Sequence, residues 1–116
     1  FLEHARIFYF YSGGNEEVFM GSADWMPRNL DRRVEILFPV LDDTLKEKVK
    51  HILDVELADN TKAHVLKPDG EYEKIDRRGK VLVNSQKQFC EEAVAAVPKT
   101  DHVYRERVFV PAEPAE

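Results

Sequence analysis

Two dense apolar runs open the chain, and each ends at a residue that interrupts strands. Ala5 to Tyr11 (Ala-Arg-Ile-Phe-Tyr-Phe-Tyr) is rich in aromatic and β-branched residues and stops at Ser12-Gly13-Gly14-Asn15, which reads as a strand followed by a turn. Glu17 to Ser22 resumes the strand character, so the two runs predict a β-hairpin joined through the glycines. Asp24 to Asp31 contains Pro27, several polar groups and no period, and reads as a loop. Val34 to Val40 is almost continuously apolar, the pattern of a strand covered on both faces.

The period then changes. Leu45, Val49, Ile52 and Leu53 recur at helical spacing with Glu47, Lys48 and Lys50 opposite, which predicts a helix over 42–58. Asp42 or Thr44 can cap its start, and Thr44-x-x-Glu47 has the form of a capping box. Residues 61–67 read as a strand, Pro68-Asp69-Gly70 as a turn and 71–76 as a returning strand. A second helix is predicted from Ser85 to Ala96, with Ser85 and Gln88 as a capping box and Phe89, Ala93 and Val94 inward. Residues 97–116 hold three of the six prolines and end in Pro-Ala-Glu-Pro-Ala-Glu, so a mobile tail is expected there, with Val103 to Val110 as an arm able to dock. The architecture this predicts is α/β, with helices over a mixed sheet in residues 1–96 and a tail in 97–116.

Composition narrows the class without choosing a function. A chain of 116 residues suits one domain, and such a domain buries roughly two-thirds of its unfolded surface without needing disulfides. Charges interrupt every apolar stretch well short of the ~20 residues that span a bilayer. The single cysteine, Cys90, has no internal partner, for which a reducing cytoplasm is the simplest setting. The first residue is Phe1, and Leu2-Glu3-His4 runs straight into a strand pattern, so a cut edge with more protein before it is expected. The net charge of −5 counts against a nucleic-acid surface. It does not exclude a local basic site, since Arg28, Arg32 and Arg33 fall within six positions.

Three segments carry residue types suited to anion chemistry: His4-Ala5-Arg6, Gly21-Ser22-Ala23-Asp24-Trp25 and Arg33-Val34-Glu35. Neighbouring strands would bring them together. Histidine serves as nucleophile, acid or charge partner near neutral pH, and an arginine fork matches phosphate oxygens. Gly21-Ser22 would offer backbone and hydroxyl donors to an oxyanion. Each feature also has a plainer reading: a partly buried histidine, an ordinary turn, solvated arginines paired with Asp24, Asp31 or Glu35. His51 falls on the polar side of the long helix, His64 in a strand and His102 in the tail, a spacing that suggests no zinc site. Cys90 reads as a small core residue, and Arg77, Arg78 and Lys80 as a basic surface loop able to touch an anionic chain.

Phe1-Leu2-Glu3-His4-x-Arg6 followed by Ser22-Ala23-Asp24-Trp25-Met26-x-Arg28-Asn29-Leu30-Asp31-x-Arg33-x-Glu35 resembles the C-terminal region of the type 1 polyphosphate kinases. The likeness extends through Pro39-Val40-Leu41-Asp42 and, more weakly, through Thr61-Lys62-Ala63 to Arg77-Arg78-Gly79. The resemblance implies a phospholipase D-like fold, of which this chain would be the second half. Arg6 stands where the wider superfamily has lysine, Asp24 where it has asparagine, and Tyr11 where its hydrolases have aspartate, which weakens a hydrolase assignment. The activity that the resemblance implies is reversible transfer of the terminal phosphate of ATP to inorganic polyphosphate. His4 would be catalytic beside the nucleotide phosphates, Arg6 and Ser22 would bind phosphate, and Asp24, Arg33 and Glu35 would support them. ATP and Mg²⁺ are the implied cofactors, with the metal ligands, the phosphorylated histidine and the adenine pocket all outside this chain. The implied partners are ADP, polyphosphate, the remaining domains of the same enzyme and further copies of it, in the cytoplasm or peripheral to the inner membrane. A phosphodiesterase half on the same fold and a non-catalytic assembly module are the competing readings.

Overall fold

The computed structural model describes residues 4–97. The tail, its Val103–Val110 arm and His102 lie outside the described residues, as do Phe1, Leu2 and Glu3. The hairpin forms as predicted. Strand β1 (Ile7–Ser12) and strand β2 (Asn15–Gly21) pair antiparallel, with Ser12 opposite Asn15. Gly13 and Gly14 make the two-residue turn at φ 56° and 92°. A tight hairpin of this length needs positive φ at both central residues, which glycine adopts without steric cost.

Strand β3 (Leu37–Pro39) adds antiparallel to β2, and the sheet order is β1-β2-β3. The expected strand over 34–40 is thus much shorter, and it is not covered on both faces: Leu37, Phe38 and Pro39 are all exposed. Its edge position explains why Pro39 is tolerated, because a proline has no N–H to give to a further strand. Ladder-like bonds continue at both ends, from Val40 N to Val18 O (2.8 Å) and from Ser22 N to Ile36 O (3.0 Å).

Side chains alternate across this sheet, and the two faces differ in fate. Ile7, Val18, Met20 and Val40 share one face, which packs on Val49 of helix α2 (Asp43–Ala58). Val18 is 2% exposed and is the centre of this small core. Lys50 of α2 clamps the hairpin from the same side, placing its Nζ 2.8 and 2.9 Å from the two Glu16 carboxylate oxygens while Tyr9 donates its hydroxyl to Glu16 at 3.0 Å. The opposite face presents Phe8, Phe10, Phe19 and Leu37, which line a cavity together with Trp25 and Leu30.

Helix α2 starts at the Asp42 cap, whose side chain accepts from the Leu45 N–H at 2.9 Å. Of the four residues expected to face inward only Val49 is buried, whereas Leu45 is half exposed; Val55 is the second buried position. Strands β4 (His64–Leu66) and β5 (Tyr72–Lys74) form a separate antiparallel pair around the Pro68-Asp69-Gly70 turn. Helix α3 (Ser85–Ala96) has the predicted span but a different cap. Asn84 caps it by accepting from Lys87 N (3.2 Å), because the Ser85 hydroxyl is taken up elsewhere. Phe89 and Ala93 line a cavity between α2, α3 and β1, while Val94 is exposed rather than inward. Cys90 is also exposed, so the core role read for it does not hold.

Residues 24–31 are not a plain loop. Helix α1 (Pro27–Arg32) occupies most of the segment. Pro27 sits at its first turn, where a missing N–H costs nothing and a fixed φ already suits a helix.

Candidate functional site

The three segments meet beyond the ends of β1 and β2. Arg6 O accepts from Gly21 N (3.1 Å), which keeps the His4–Arg6 stretch beside the end of β2. On the other side, a Cβ at Gly21 would lie 3.1 Å from Ile36 O and 3.2 Å from Leu37 Cδ1, so glycine suits the close approach of β2 to the segment leading into β3. The chain then turns at Ser22 and delivers Asp24 back toward Arg6 and His4.

Asp24 is the hub. Arg6 donates to it from Nε (2.8 Å to Oδ1) and from Nη2 (3.3 Å to Oδ2). His4 Nε2 lies 2.9 Å from Oδ1 and 3.2 Å from Oδ2. Arg6 Nη2 is also 2.6 Å from His4 Nε2. One imidazole nitrogen cannot donate to the carboxylate and accept from the guanidinium at the same time. With Nε2 protonated, His4 donates to Asp24 and crowds Arg6; with Nε2 bare, it accepts from Arg6. Whether His4 Nε2 carries a proton, which the tautomer sets, therefore decides how the guanidinium is shared. The ring is not buried in apolar packing: the His4 side chain is 52% exposed, against 29% for Arg6 and 32% for Asp24.

The Arg6 hydrogen bond, followed by the His4 contact, outweighs desolvation and holds the Asp24 carboxyl down at about 2. The same bond to Asp24 raises the Arg6 guanidinium above its ordinary value. Near neutral pH the site is a carboxylate anion held between a guanidinium cation and an imidazole ring. It gains a net positive charge whenever His4 is protonated.

Ser22 and Glu35 form a second, adjoining pair. Ser22 donates its hydroxyl to Glu35, and its Oγ accepts from Ile36 N at 3.0 Å. These bonds pin the end of β2 to the segment that leads into β3. The hydroxyl proton is thereby engaged by a carboxylate. Arg33 follows α1 as an exposed residue, and among the described residues no ion pair joins it to Glu35. Arg28 and Arg32 are likewise exposed on α1. The structure thus brings together His4, Arg6 and Asp24, links Ser22 to Glu35, and leaves Arg33 apart from both groups.

Reading the sequence did not single out Asp59, the most heavily bonded carboxylate of the described residues. It is 4% exposed, and it accepts from the backbone N–H groups of Thr61 (2.9 Å), Lys62 (2.8 Å) and Ser85 (2.8 Å) and from the Ser85 hydroxyl (2.9 Å). Burial opposes its charge, but the N–H bonds from Lys62 and Ser85 hold it well below the carboxylate range. The signal available was Asp59-x-Thr61 at a helix end, the pattern in which an acidic side chain closes a turn on the backbone two residues on. His51 is half exposed and paired with Glu92 of α3 at 2.9 Å, which ties the two long helices. Arg78 pairs with Asp76 on an exposed loop (2.8 Å), as the plainer reading of that basic cluster expects. Among the described residues no group of three His, Cys, Asp or Glu comes together to hold a metal ion.

Comparison with known proteins adds to this geometry. The sequence model of the polyphosphate kinase C-terminal domain 2 family matches residues 1–86. A polyphosphate kinase of Prosthecochloris aestuarii is 54% identical over 94 residues, covering 80% of this chain and 13% of that protein. One from Lactiplantibacillus plantarum is 44% identical over 101 residues, covering 87% of this chain and 14% of that protein. The crystal structure of polyphosphate kinase from Porphyromonas gingivalis superposes with a TM-score of 0.73 at 39% identity, over 82% of this chain and 15% of that one. The chain thus spans about one-seventh of the length of the curated relatives it matches. The α/β, phospholipase D-like fold implied by the resemblance stands.

Proposed function

The chain belongs to the polyphosphate kinase C-terminal domain family, and from that premise we propose that it supplies part of the active site of an ATP:polyphosphate phosphotransferase. The observation that carries the reading is the His4–Arg6–Asp24 cluster, with Asp24 2.8 Å from Arg6 and 2.9 Å from His4. Phosphoryl transfer asks a protein chiefly for positioning and for charge aimed at the moving phosphate. Arg6 turns Nε and Nη2 to Asp24, which orients the guanidinium plane and leaves Nη1 to approach a phosphate oxygen. As an imidazolium, His4 donates from Nε2 to Asp24 and adds a second positive charge beside the transferring group. Asp24 fixes both cations and does not itself exchange a proton near neutral pH, being held at about 2 chiefly by Arg6.

Ser22 takes a different part from the phosphate-binding one implied by the resemblance. With its hydroxyl donating to Glu35 and its oxygen accepting from Ile36 N, it anchors the turn that carries Asp24. Glu35 serves through Ser22. ATP, ADP and polyphosphate are the substrates of this reading, and the remaining domains of the whole enzyme supply the phosphorylated histidine and the base pocket. No step is routed through Mg²⁺ on the described residues.

The test is the full-length enzyme carrying His4→Ala, assayed for polyphosphate formation from ATP. Removing one preorganised charge contact is expected to lower kcat by about 10²–10³-fold. Wild-type turnover would take His4 out of the mechanism.

A further inference from the structure

Resting on that reading, we infer that Asn29 is a positioning residue for the site, acting through the main chain of Asp24. Asn29 is 4% exposed, unusually deep for an amide on a helix of six residues whose neighbours Arg28 and Leu30 face solvent. Its Nδ2 donates back to the Asp24 carbonyl at 3.2 Å. The same carbonyl accepts from Met26 N at 2.8 Å. Two donors on one carbonyl fix the plane of the peptide that follows Asp24, and with it the direction in which the carboxylate leaves the chain. That carboxylate orients both His4 and Arg6. Helix α1 has no side-chain cap at Met26, so the Asn29 amide is the side-chain tie between the helix and the site. A misplacement of about 1 Å at reacting groups costs on the order of 10²-fold in rate, so a residue that only aims Asp24 still counts.

Aspartate is the informative replacement. It has the shape of asparagine, but when ionised it offers the Asp24 carbonyl a repelling oxygen instead of a donor; when protonated it offers an O–H. A carboxyl buried beside a carbonyl titrates above its ordinary range. The full-length enzyme carrying Asn29→Asp is therefore expected to fall about tenfold or more below wild type at roughly pH 8 and to recover toward it at roughly pH 6. Reading the ratio to wild type sets aside the pH dependence that both proteins share through the neighbouring groups His4, Arg6, Asp24 and Glu35. Asn29→Ala has no proton to regain and is expected to be impaired equally across the range. A merely structural role would lower the folded fraction, and more at roughly pH 8 than at roughly pH 6, so the ratio is taken per folded molecule, with circular dichroism and thermal unfolding at each pH; under that role the normalised ratio is flat. A flat Asn29→Asp ratio, or a fully active Asn29→Ala enzyme where the aspartate form does not fold, overturns the inference. His4→Ala, run alongside, separates the two failures: an active His4→Ala enzyme sinks the site, whereas an inactive one with a flat Asn29→Asp profile sinks only the role of Asn29.

Discussion

At the scale of single residues, one carboxylate sets the character of the site. Asp24 is exposed enough to meet water yet is held ionised by Arg6 and, secondarily, by His4. Its replacement by asparagine keeps the shape and removes the charge. Asp24→Asn in the full-length enzyme is expected to lower kcat by about 10–100-fold while leaving the protein folded, because an amide cannot hold a guanidinium and an imidazole as firmly as an ion does. Steady-state kinetics beside a melting curve checks this. The sequence already placed His4, Arg6 and Asp24 in one region, since two strands joined by a two-residue turn must bring their far ends together. It did not show that Asp24 lies between the other two. It showed still less that the Ser22 hydroxyl is spent on Glu35, because side-chain direction after Gly21 depends on how the turn closes.

At the scale of elements, glycine-containing turns and helical periods were legible, and tertiary substitutions of one partner for another were not. Gly13-Gly14 fixed the hairpin register; placing alanine at Gly14, where φ is 92°, is expected to cost about 1–3 kcal/mol, measured by chemical denaturation. Helix α1 escaped notice because six residues give no period. It is held by Pro27 at its start and by Asn29 reaching Asp24. Ser85 has the sequence of a cap for α3, yet Asp59 draws that hydroxyl away and Asn84 caps in its place. Asp59 in turn looked like one more acid in an acidic run. Its bonds join the end of α2 to the start of α3, so Asp59→Ala is expected to destabilise by about 3 kcal/mol through the donors it leaves unpaired. The sign of its pH effect comes from the direction of its shift. The folded pKa lies below the unfolded one, so the stabilisation is complete above roughly pH 4 and fades as pH falls further. Acid unfolding followed by circular dichroism should show that limb in the parent and a shallower one in Asp59→Asn.

At the scale of the molecule, the apolar surface left open is large for the core it surrounds. Val18, Val40, Val49 and Val55 are the buried hydrophobic residues described, whereas Trp25 (79%), Phe10 (56%) and Leu37 (64%) are exposed. Phe8, Phe10, Phe19 and Trp25, with Leu30 of α1, line a cavity of about 450 Å³ on the sheet face opposite α2. Trp25 stacks on Phe8 with ring centroids 6.0 Å apart, so the exposed indole continues this aromatic face. A patch of this kind on a chain that spans one-seventh of its relatives is a surface other protein would cover. The 116-residue chain in isolation is expected to bind a hydrophobic dye and self-associate, and Phe10→Lys with Leu37→Lys should reduce both. Dye fluorescence and sedimentation would record it.

The central claim is that His4 and Asp24 work on phosphate as one unit, and a double-mutant cycle reads that directly. In the full-length enzyme, kcat for polyphosphate synthesis is compared among His4→Ala, Asp24→Ala and the two combined. If they act together, the double variant should lose about as much as the worse single one, a coupling of about 1–3 kcal/mol. Losses that simply multiply would mean that the carboxylate and the ring act separately, and the site described would not be the one that moves the phosphate.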